Sequence, residues 1–185
     1  MAKTFEEIDD KLADWVSQQR MFFVGSAPLA ADGHVNISPK GDLAWFSILG
    51  PREVAYLDFV GSGAETIAHA RENGRIVVMF CGFEGPPRIV RFHGSATVVL
   101  PDDAGFAELR ARFPEAPDAV RSVIRIDVDR VSDSCGFGVP LMSYEGKRTQ
   151  FEAWVDKQTR ENAMPAYIAA KNAASIDGLP AIDPA

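Results

Sequence analysis

Seven short apolar runs between residues 21 and 131 constrain the fold of this chain more than any other feature. Each run has the length and the alternating or continuous apolar pattern of a β-strand, and Gly, Pro, Asn or Asp residues lie between the runs. The predicted strands are residues 21–27, 34–38, 43–48, 54–59, 75–83, 88–100 and 122–131. Seven strands are enough for a small barrel, so we predict a mainly β fold with flanking helices.

Two capping-box patterns predict one helix before the first predicted strand and another after the fourth. Thr4 is followed three residues later by Glu7, and Ser62 is followed by Glu65 in the same way. Gly74 would end the second helix. The first helix would present an apolar face formed by Phe5, Ile8, Leu12 and Trp15.

The remaining segments are predicted as short helices and turns around a single domain, 1–185. An Asp-Gly pair at residues 32–33 predicts a tight hairpin between the first two strands. Short helices are predicted after Asp102 or Asp103, over about 149–160, and from residue 171 before an extended tail. The barrel would cover about 20–131, and a helical extension would cover about 145–185.

Composition excludes several classes of protein. The net charge of −7 argues against nucleic-acid binding, which requires clustered cations. No apolar stretch approaches the roughly 20 residues of a membrane helix, and the acidic N-terminus lacks the apolar core of a signal peptide, so we expect a cytoplasmic protein. Cys81 and Cys135 belong to no cluster with metal-ligand spacing, and no metal is expected.

The segment around residues 34–40 places polar residues at every second position. Alternation along a strand would put His34, Asn36, Ser38 and Lys40 on one face and Val35 with its neighbour Ile37 in the core. A row of donors that ends in a cation suits a ligand with an acidic group. A solvated strand face remains the alternative.

A second segment, around residues 61–66, could bind an anion. Gly61, Ser62, Gly63 and Thr66 lie at a predicted helix start, where backbone N–H groups favour a phosphate, although Glu65 would repel one and the segment fits an ordinary capped helix equally well.

Arg88 and Arg91 point to opposite faces of one predicted strand, which suggests a ligand or subunit border; ordinary surface arginines remain the alternative. None of the three histidines, His34, His69 and His93, lies in a nucleophile motif. A hydrolase triad therefore has no support.

Together these segments resemble the pyridoxamine 5'-phosphate oxidase-like family of FMN-binding split β-barrels. The resemblance covers about residues 20–131 and is carried, in order, by GHVNISPKG, YLDFVGSGAETIAHARENGRIVVMF and GFEGPPRIVRFHG. It implies a six-stranded split barrel, a homodimer, and flavin sites at the dimer interface.

The resemblance also implies which residues reach the cofactor. Asn36, Ser38 and Lys40 would lie on the strand that contacts the flavin and its phosphate, and Leu57 and Asp58 would lie on the next strand.

Residues 62–66 fall where the oxidases have an Arg-Lys pair, which is missing here, so Arg88 or Arg91 would assist Lys40. Ile89 replaces a Gln of the oxidases, and the chain has no C-terminal R-x-H signature, so we do not expect vitamin B6 oxidation.

The resemblance therefore implies an FMN-dependent oxidoreductase that acts on an unidentified small molecule. Two alternatives remain open at this stage. One is a flavin or haem carrier without turnover, with His69 or His93 as an axial ligand of haem. The other is a deazaflavin-dependent reductase on the same scaffold.

Overall fold

A computed structural model describes residues 3–114 and 116–183 as a curved sheet with helices around it. The strands are β1 (Lys3–Phe5), β2 (Phe22–Ser26), β3 (Asn36–Lys40), β4 (Phe46–Gly50), β5 (Glu53–Phe59), β6 (Arg75–Cys81), β7 (Ile89–Val99) and β8 (Val120–Ser134). The helices are α1 (Asp10–Ser17), α2 (Glu65–Glu72), α3 (Phe106–Arg110), α4 (Gln150–Arg160) and α5 (Met164–Lys171). The predicted mainly β fold with flanking helices is confirmed.

All strands belong to one antiparallel sheet in the order β3-β2-β6-β7-β8-β5-β4. Within the described residues the sheet has eight strands rather than the six that the resemblance implied. One of the additional strands is β1, which pairs with the last part of β8, beyond the part that pairs with β5. The register of β7 and β8 shifts between His93 and Gly94, where a Cβ on Gly94 would collide with the backbone of Asp127. Such a bulge bends a strand and helps the sheet to curl.

The concave face of the sheet buries an aromatic core. The Phe22 ring lies 5.5 Å from that of Tyr56 and 5.8 Å from that of Phe80, and Phe80 in turn lies 5.7 Å from Phe92. All four side chains are buried, and α1 and α2 pack against the same cluster through residues such as Leu12 and Ile67. Large rings at these distances contribute contact energy beyond the area they bury, so this core fixes the curvature that positions the site.

The N-terminal capping box is wrong. Thr4 lies in β1, where it pairs with Ser132 of β8, and α1 starts only at Asp10. Its N-cap is Asp9, whose carboxylate accepts a hydrogen bond from the Leu12 amide at 2.8 Å. Residues 3–5 form ladder hydrogen bonds with β8, and a backbone in the extended conformation cannot also be helical.

The second capping box is also wrong, although its helix exists. The N-cap of α2 is Ala64, which has no side-chain cap, and Ser62 is exposed. The predicted stop is confirmed, because Gly74 follows the helix in the left-handed conformation with φ +73°.

The connection between β2 and β3 is longer than the predicted tight hairpin. It spans residues 27–35, and Gly33 closes a turn with the Ala30 carbonyl at 3.1 Å. The expectation that Val35 and Ile37 enter the core is wrong, because β3 is an edge strand whose second face is open and leaves their side chains 71% and 70% exposed. Asn36, Ser38 and Lys40 instead face inward, whereas His34 is exposed.

The helices after the barrel are partly as predicted. α3 and α4 occur where they were expected, but the last helix, α5, ends at Lys171, where the predicted one was to begin. Pro165 near the start of α5 is compatible with a first helical turn, so the helix forms earlier in the chain. Among the described residues no helix is both long and apolar enough to cross a membrane.

Candidate functional site

A buried carboxylate with two cations forms the centre of the candidate site. Asp58 on β5 is fully buried, with Lys40 Nζ 3.2 Å from its Oδ1 and Arg121 Nε 2.6 Å from its Oδ2. Ser122 Oγ lies 3.4 Å from the second oxygen. Burial opposes ionisation, but Lys40 and Arg121 outweigh it and hold the pKa of Asp58 below its usual value. We call these four residues the Asp58 cluster; it carries a net charge of about +1.

The polar row of β3 continues this cluster. Asn36 Nδ2 donates to Ser26 Oγ at 3.2 Å and to Thr66 Oγ1 at 3.0 Å, and Ser38 Oγ donates to Asn36 Oδ1 at 3.1 Å. Ser26 Oγ also lies 3.0 Å from His69 Nδ1. Asn36, Ser38, Lys40, Asp58 and Thr66 are therefore brought together, as their assignment to one site requires.

Two buried polar atoms beside this network lack partners among the described residues. They are the Tyr56 hydroxyl and His69 Nε2. Lys40 Nζ lies 5.9 Å from the centre of the Tyr56 ring. Burial raises the pKa of Tyr56 well above its usual value and lowers the pKa of His69, so both groups are neutral near pH 7.

The segment before α2 closes one side of the site. The Gly63 carbonyl accepts a hydrogen bond from Arg121 Nη1 at 2.7 Å, so the loop is tied to the Asp58 cluster. A Cβ on Gly63 would collide with the Glu65 carboxylate, which folds back over the start of the helix and accepts from the Ile176 amide at 3.3 Å. Ser62 is exposed at the edge of this segment.

Three predicted residues lie elsewhere. Leu57 points to a second apolar cluster on the opposite face of β5 from Asp58. Arg88 Nη2 lies 2.9 Å from an Asp133 oxygen, and Arg91 Nη1 lies 3.2 Å from a Ser134 hydroxyl. β2 and β6 separate β3 from β7 in the sheet, and within the described part of one protomer neither arginine has a hydrogen bond to Lys40 or Asp58.

His34, the first residue of the predicted row, also lies outside the cluster. Its Nδ1 lies 2.6 Å from Asp177 Oδ1, which ties the C-terminal tail to the start of β3. This hydrogen bond raises the pKa of His34.

Local sequence patterns did not predict that Arg121, Tyr56 and Ser26 belong to the site, nor that His69 is buried beside it. Arg121 stands one residue before the predicted start of the last strand, and the strand in fact begins at Val120. β8 contains three arginines, Arg121, Arg125 and Arg130, and the sequence pattern does not show which of them is buried and paired.

Two cavities lie outside the Asp58 cluster. The larger, of about 890 Å³, is lined by Arg88 together with residues of α1, the β6–β7 turn and the chain after β8. The smaller, of about 640 Å³, lies between α1 and the start of β4. Neither His69 nor His93 lines either cavity, so these cavities provide no histidine ligand for haem.

Comparisons with known proteins identify the family of the chain. The family model for pyridoxamine 5'-phosphate oxidase matches residues 8–135. The pyridoxamine 5'-phosphate oxidase family protein ustO of Aspergillus flavus is 38% identical over 192 residues, covering 96% of this chain and 77% of that protein.

Solved structures show the same fold. HupZ from Group A Streptococcus superposes with a TM-score of 0.55 at 22% identity, covering 67% of this chain and 91% of HupZ. A candidate 5-nitroimidazole antibiotic resistance protein from Bacteroides thetaiotaomicron superposes with a TM-score of 0.50 at 13% identity, covering 72% of this chain and 87% of that one. The matched family model and the ustO relative establish that this chain belongs to the pyridoxamine 5'-phosphate oxidase family.

Proposed function

We propose that this protein binds FMN at the Asp58 cluster and acts as an FMN-dependent oxidoreductase on a small molecule. The observation that carries the proposal is the net positive cluster of Lys40 and Arg121 around Asp58, next to a helix start with no side-chain cap. Membership of the family supports the choice of a flavin as the anionic ligand.

The donors at this site suit a phosphate monoester. Lys40 and Arg121 supply charge, Ser38 and Thr66 supply hydroxyl groups, and the uncapped first turn of α2 supplies backbone N–H groups. The unpartnered Tyr56 hydroxyl adds one more buried donor. This set differs from the Arg-Lys pair of the oxidases, but it provides the same kinds of contact.

Two features weaken the site for an anion. Lys40 and Arg121 already share the negative charge of Asp58, and the Glu65 carboxylate lies at the helix start where a phosphate would bind. We therefore expect FMN to bind more weakly than at a site with two uncompensated cations, and its affinity to fall as salt increases.

The isoalloxazine ring of FMN supplies hydride or electron transfer, and the protein binds and orients the cofactor. Asp58 would hold the two cations in place, and the inward row of β3 would fix the polar groups of the ligand. Pyridoxamine phosphate carries its own phosphate and would need a second cationic site directly beside the flavin ring. We expect no turnover of that compound.

We also propose a cytoplasmic homodimer with flavin sites at its interface. Asn36, Ser38 and Lys40 are only half-buried in the single chain and lie on an edge strand, so a second copy that packs on the outer face of β3 and extends past its free edge would shield them and a bound flavin from water. Within such a dimer Arg91 of the second copy, rather than of the first, would be the arginine that assists Lys40. The unpaired, exposed Cys135 fits a reducing compartment.

Titration of the purified protein with FMN tests the proposal. Flavin is first removed, and binding is followed by the quenching of flavin fluorescence. We expect Lys40→Ala to weaken FMN binding at least tenfold, because a charge-assisted phosphate contact contributes about 1.5–3 kcal/mol. Lys11→Ala, which removes the same charge from an exposed position on α1, should leave the affinity unchanged. Equal affinities for wild type and Lys40→Ala would contradict the assignment.

A further inference from the structure

The larger cavity is a second site that the proposed function does not use. It lies between the end of α1, the turn that joins β6 to β7, and the chain that follows β8. We propose that it binds a planar aromatic molecule that carries an acid group, separately from the Asp58 cluster. No residue of the Asp58 cluster lines it, so the inference goes beyond the flavin site.

Two arginine-aromatic pairs line this cavity. The guanidinium carbon of Arg88 lies 5.1 Å from the centre of the Trp15 ring, and that of Arg20 lies 5.0 Å from the centre of the Tyr144 ring. Guanidinium and aromatic planes stack on each other and on flat conjugated ligands. The arrangement therefore favours a planar molecule over a compact or branched one.

The ionisable groups around the cavity favour a negative ligand. Lys3, Arg20 and Arg88 carry positive charge, whereas Glu84 and Asp133 carry negative charge. The local balance is about +1 at neutral pH, in a chain whose net charge is −7. A monoanion would balance this local charge.

Both arginines retain donors for such a ligand. Arg88 uses Nε and Nη2 to bind one Asp133 oxygen, at 3.1 and 2.9 Å, and its Nη1 has no hydrogen bond to any described residue. Arg20 Nε lies 3.7 Å from Glu84, beyond ordinary hydrogen-bond distance, and both side chains are about half exposed. Asp133 thus positions Arg88 without occupying all of its donors.

The wall after β8 is held in place by specific contacts. Gly136 adopts φ +66°, and a Cβ there would lie 2.6 Å from the Arg88 amide nitrogen, so only glycine allows this approach. The Met142 amide donates to the Phe83 carbonyl at 2.9 Å, and the Tyr144 amide donates to Glu84 at 3.4 Å. The glycine-rich segment CGFG therefore brings Tyr144 to the cavity.

The size and lining of the cavity suit a ligand of two or three fused rings. Its volume of about 890 Å³ lies within the range of roughly 300–1,000 Å³ that is usual for small-molecule sites. Apolar side chains complete the lining between the charged groups; they are Met21, Phe83, Pro86, Pro87 and Met142. Ring binding would rest on these surfaces, and the arginines would select the acid group.

Calorimetric titration with 2-naphthoate, a planar bicyclic carboxylate, tests the inference. The full chain is titrated with 2-naphthoate and with the neutral 2-naphthamide, each with and without saturating FMN. We expect the acid to bind at least tenfold more tightly than the amide, and its affinity to change less than twofold when FMN is present.

Substitutions assign this binding to the cavity. Arg88→Gln should weaken 2-naphthoate at least tenfold and the amide less than twofold, whereas Trp15→Leu should weaken both ligands by similar factors. Arg112→Gln removes the same charge from an exposed position outside the cavity and should change neither affinity. Arg20→Gln alters an exposed, weakly paired side chain, so it is expected to fold normally and to weaken the acid at least threefold even if Arg88→Gln does not fold.

The inference would be overturned by absent binding, by equal affinities for acid and amide, by an unchanged affinity in both arginine variants, or by displacement of 2-naphthoate by FMN. Binding of 2-naphthoate by a protein that does not bind FMN would support the cavity and contradict the proposed function. The two proposals can thus fail separately.

Discussion

Asp58 illustrates how one buried carboxylate organises its surroundings. Its two cations come from strands far apart in the sequence, Lys40 from β3 and Arg121 from β8. Arg121 is only 8% exposed and Asp58 is fully buried, so water cannot stabilise either charge without its partner. Removing one partner of a buried ion pair costs more than the pair contributes, because the other charge remains buried.

We expect Asp58→Asn to lower the free energy of unfolding at pH 7 by about 3–5 kcal/mol, the usual cost of an unpaired buried charge. Because the folded-state pKa of Asp58 lies below its unfolded value, its contribution to stability is present above the unfolded pKa and is lost as pH falls through the folded one. Urea unfolding between pH 7 and pH 3 measures both effects. Asp183→Asn, at a 92% exposed side chain, is the control.

If Asp58→Asn unfolds with wild-type stability, or if the stability difference between the two proteins does not shrink as pH falls, the cluster is not the ion-paired centre described above.

Glu65 repels an anionic ligand, whereas Lys40 and Arg121 attract one. Its carboxylate lies at the start of α2, where the phosphate of a flavin would be held. We expect Glu65→Gln to strengthen FMN binding about threefold to tenfold, because it removes a like charge but keeps the shape and the amide contact. Flavin fluorescence titration measures the change, and Glu161→Gln at an exposed position serves as the control. Unchanged or weaker binding in Glu65→Gln would place the phosphate elsewhere.

At the scale of residues, the sequence predicted part of the candidate site. Asn36, Ser38 and Lys40 were found because alternation along a strand puts them on one face. Arg121 was missed because pairing across the sheet, not local pattern, decides which strand lies opposite Asp58. Sequence spacing contains no information on that contact, since the two residues are separated by 63 positions.

At the scale of elements, most strands were found but several boundaries were not. The helix starts failed because Ser and Thr capping patterns are common outside helices, and the pairing of residues 3–5 with β8 removed Thr4 from the helix. The apolar residues of β3 were predicted to enter the core, but they lie on its exposed outer face. Being an edge strand, β3 has an open outer face, and only the sheet order reveals that.

The cap of α1 gives a direct test of the corrected boundary. Asp9 accepts from the Leu12 amide, whereas Thr4 lies in β1. We expect Asp9→Ala to lower the free energy of unfolding by about 1 kcal/mol and Thr4→Ala by less than about 0.5 kcal/mol. Chemical denaturation of both variants measures the difference. A larger loss for Thr4→Ala than for Asp9→Ala would restore the original capping box.

At the scale of the whole molecule, the order of the sheet could not be derived from local sequence. β8 pairs with β7, the strand before it in the chain, but also with β5 and β1, which are distant from it in the sequence. The family resemblance supplied the split-barrel fold because it encodes these long-range pairings, which neither composition nor periodicity contains. The cavity beside Trp15 was not predicted at all, since four separate segments form it.

The outer face of β3 provides the last prediction. Val35 and Ile37 are more than two-thirds exposed, and next to them on the same face lie the half-buried Phe23, Val77 and Met79 of β2 and β6. An exposed apolar edge strand favours association, and a second copy of the chain would cover it.

We therefore expect a dimer of about 40 kDa in sedimentation at micromolar concentration, twice the 20.1 kDa of one chain, because a symmetric contact buries the same face on both copies. Ile37→Asp would bury a charge on each side of that contact, so it should give a 20.1 kDa monomer that retains little FMN. Leu141→Asp makes the same change at a 79% exposed position outside this face and should remain dimeric. A wild-type monomer that holds flavin would exclude this face as the contact. An Ile37→Asp protein that stays dimeric would exclude it too, because an aspartate buried in the contact could not be solvated.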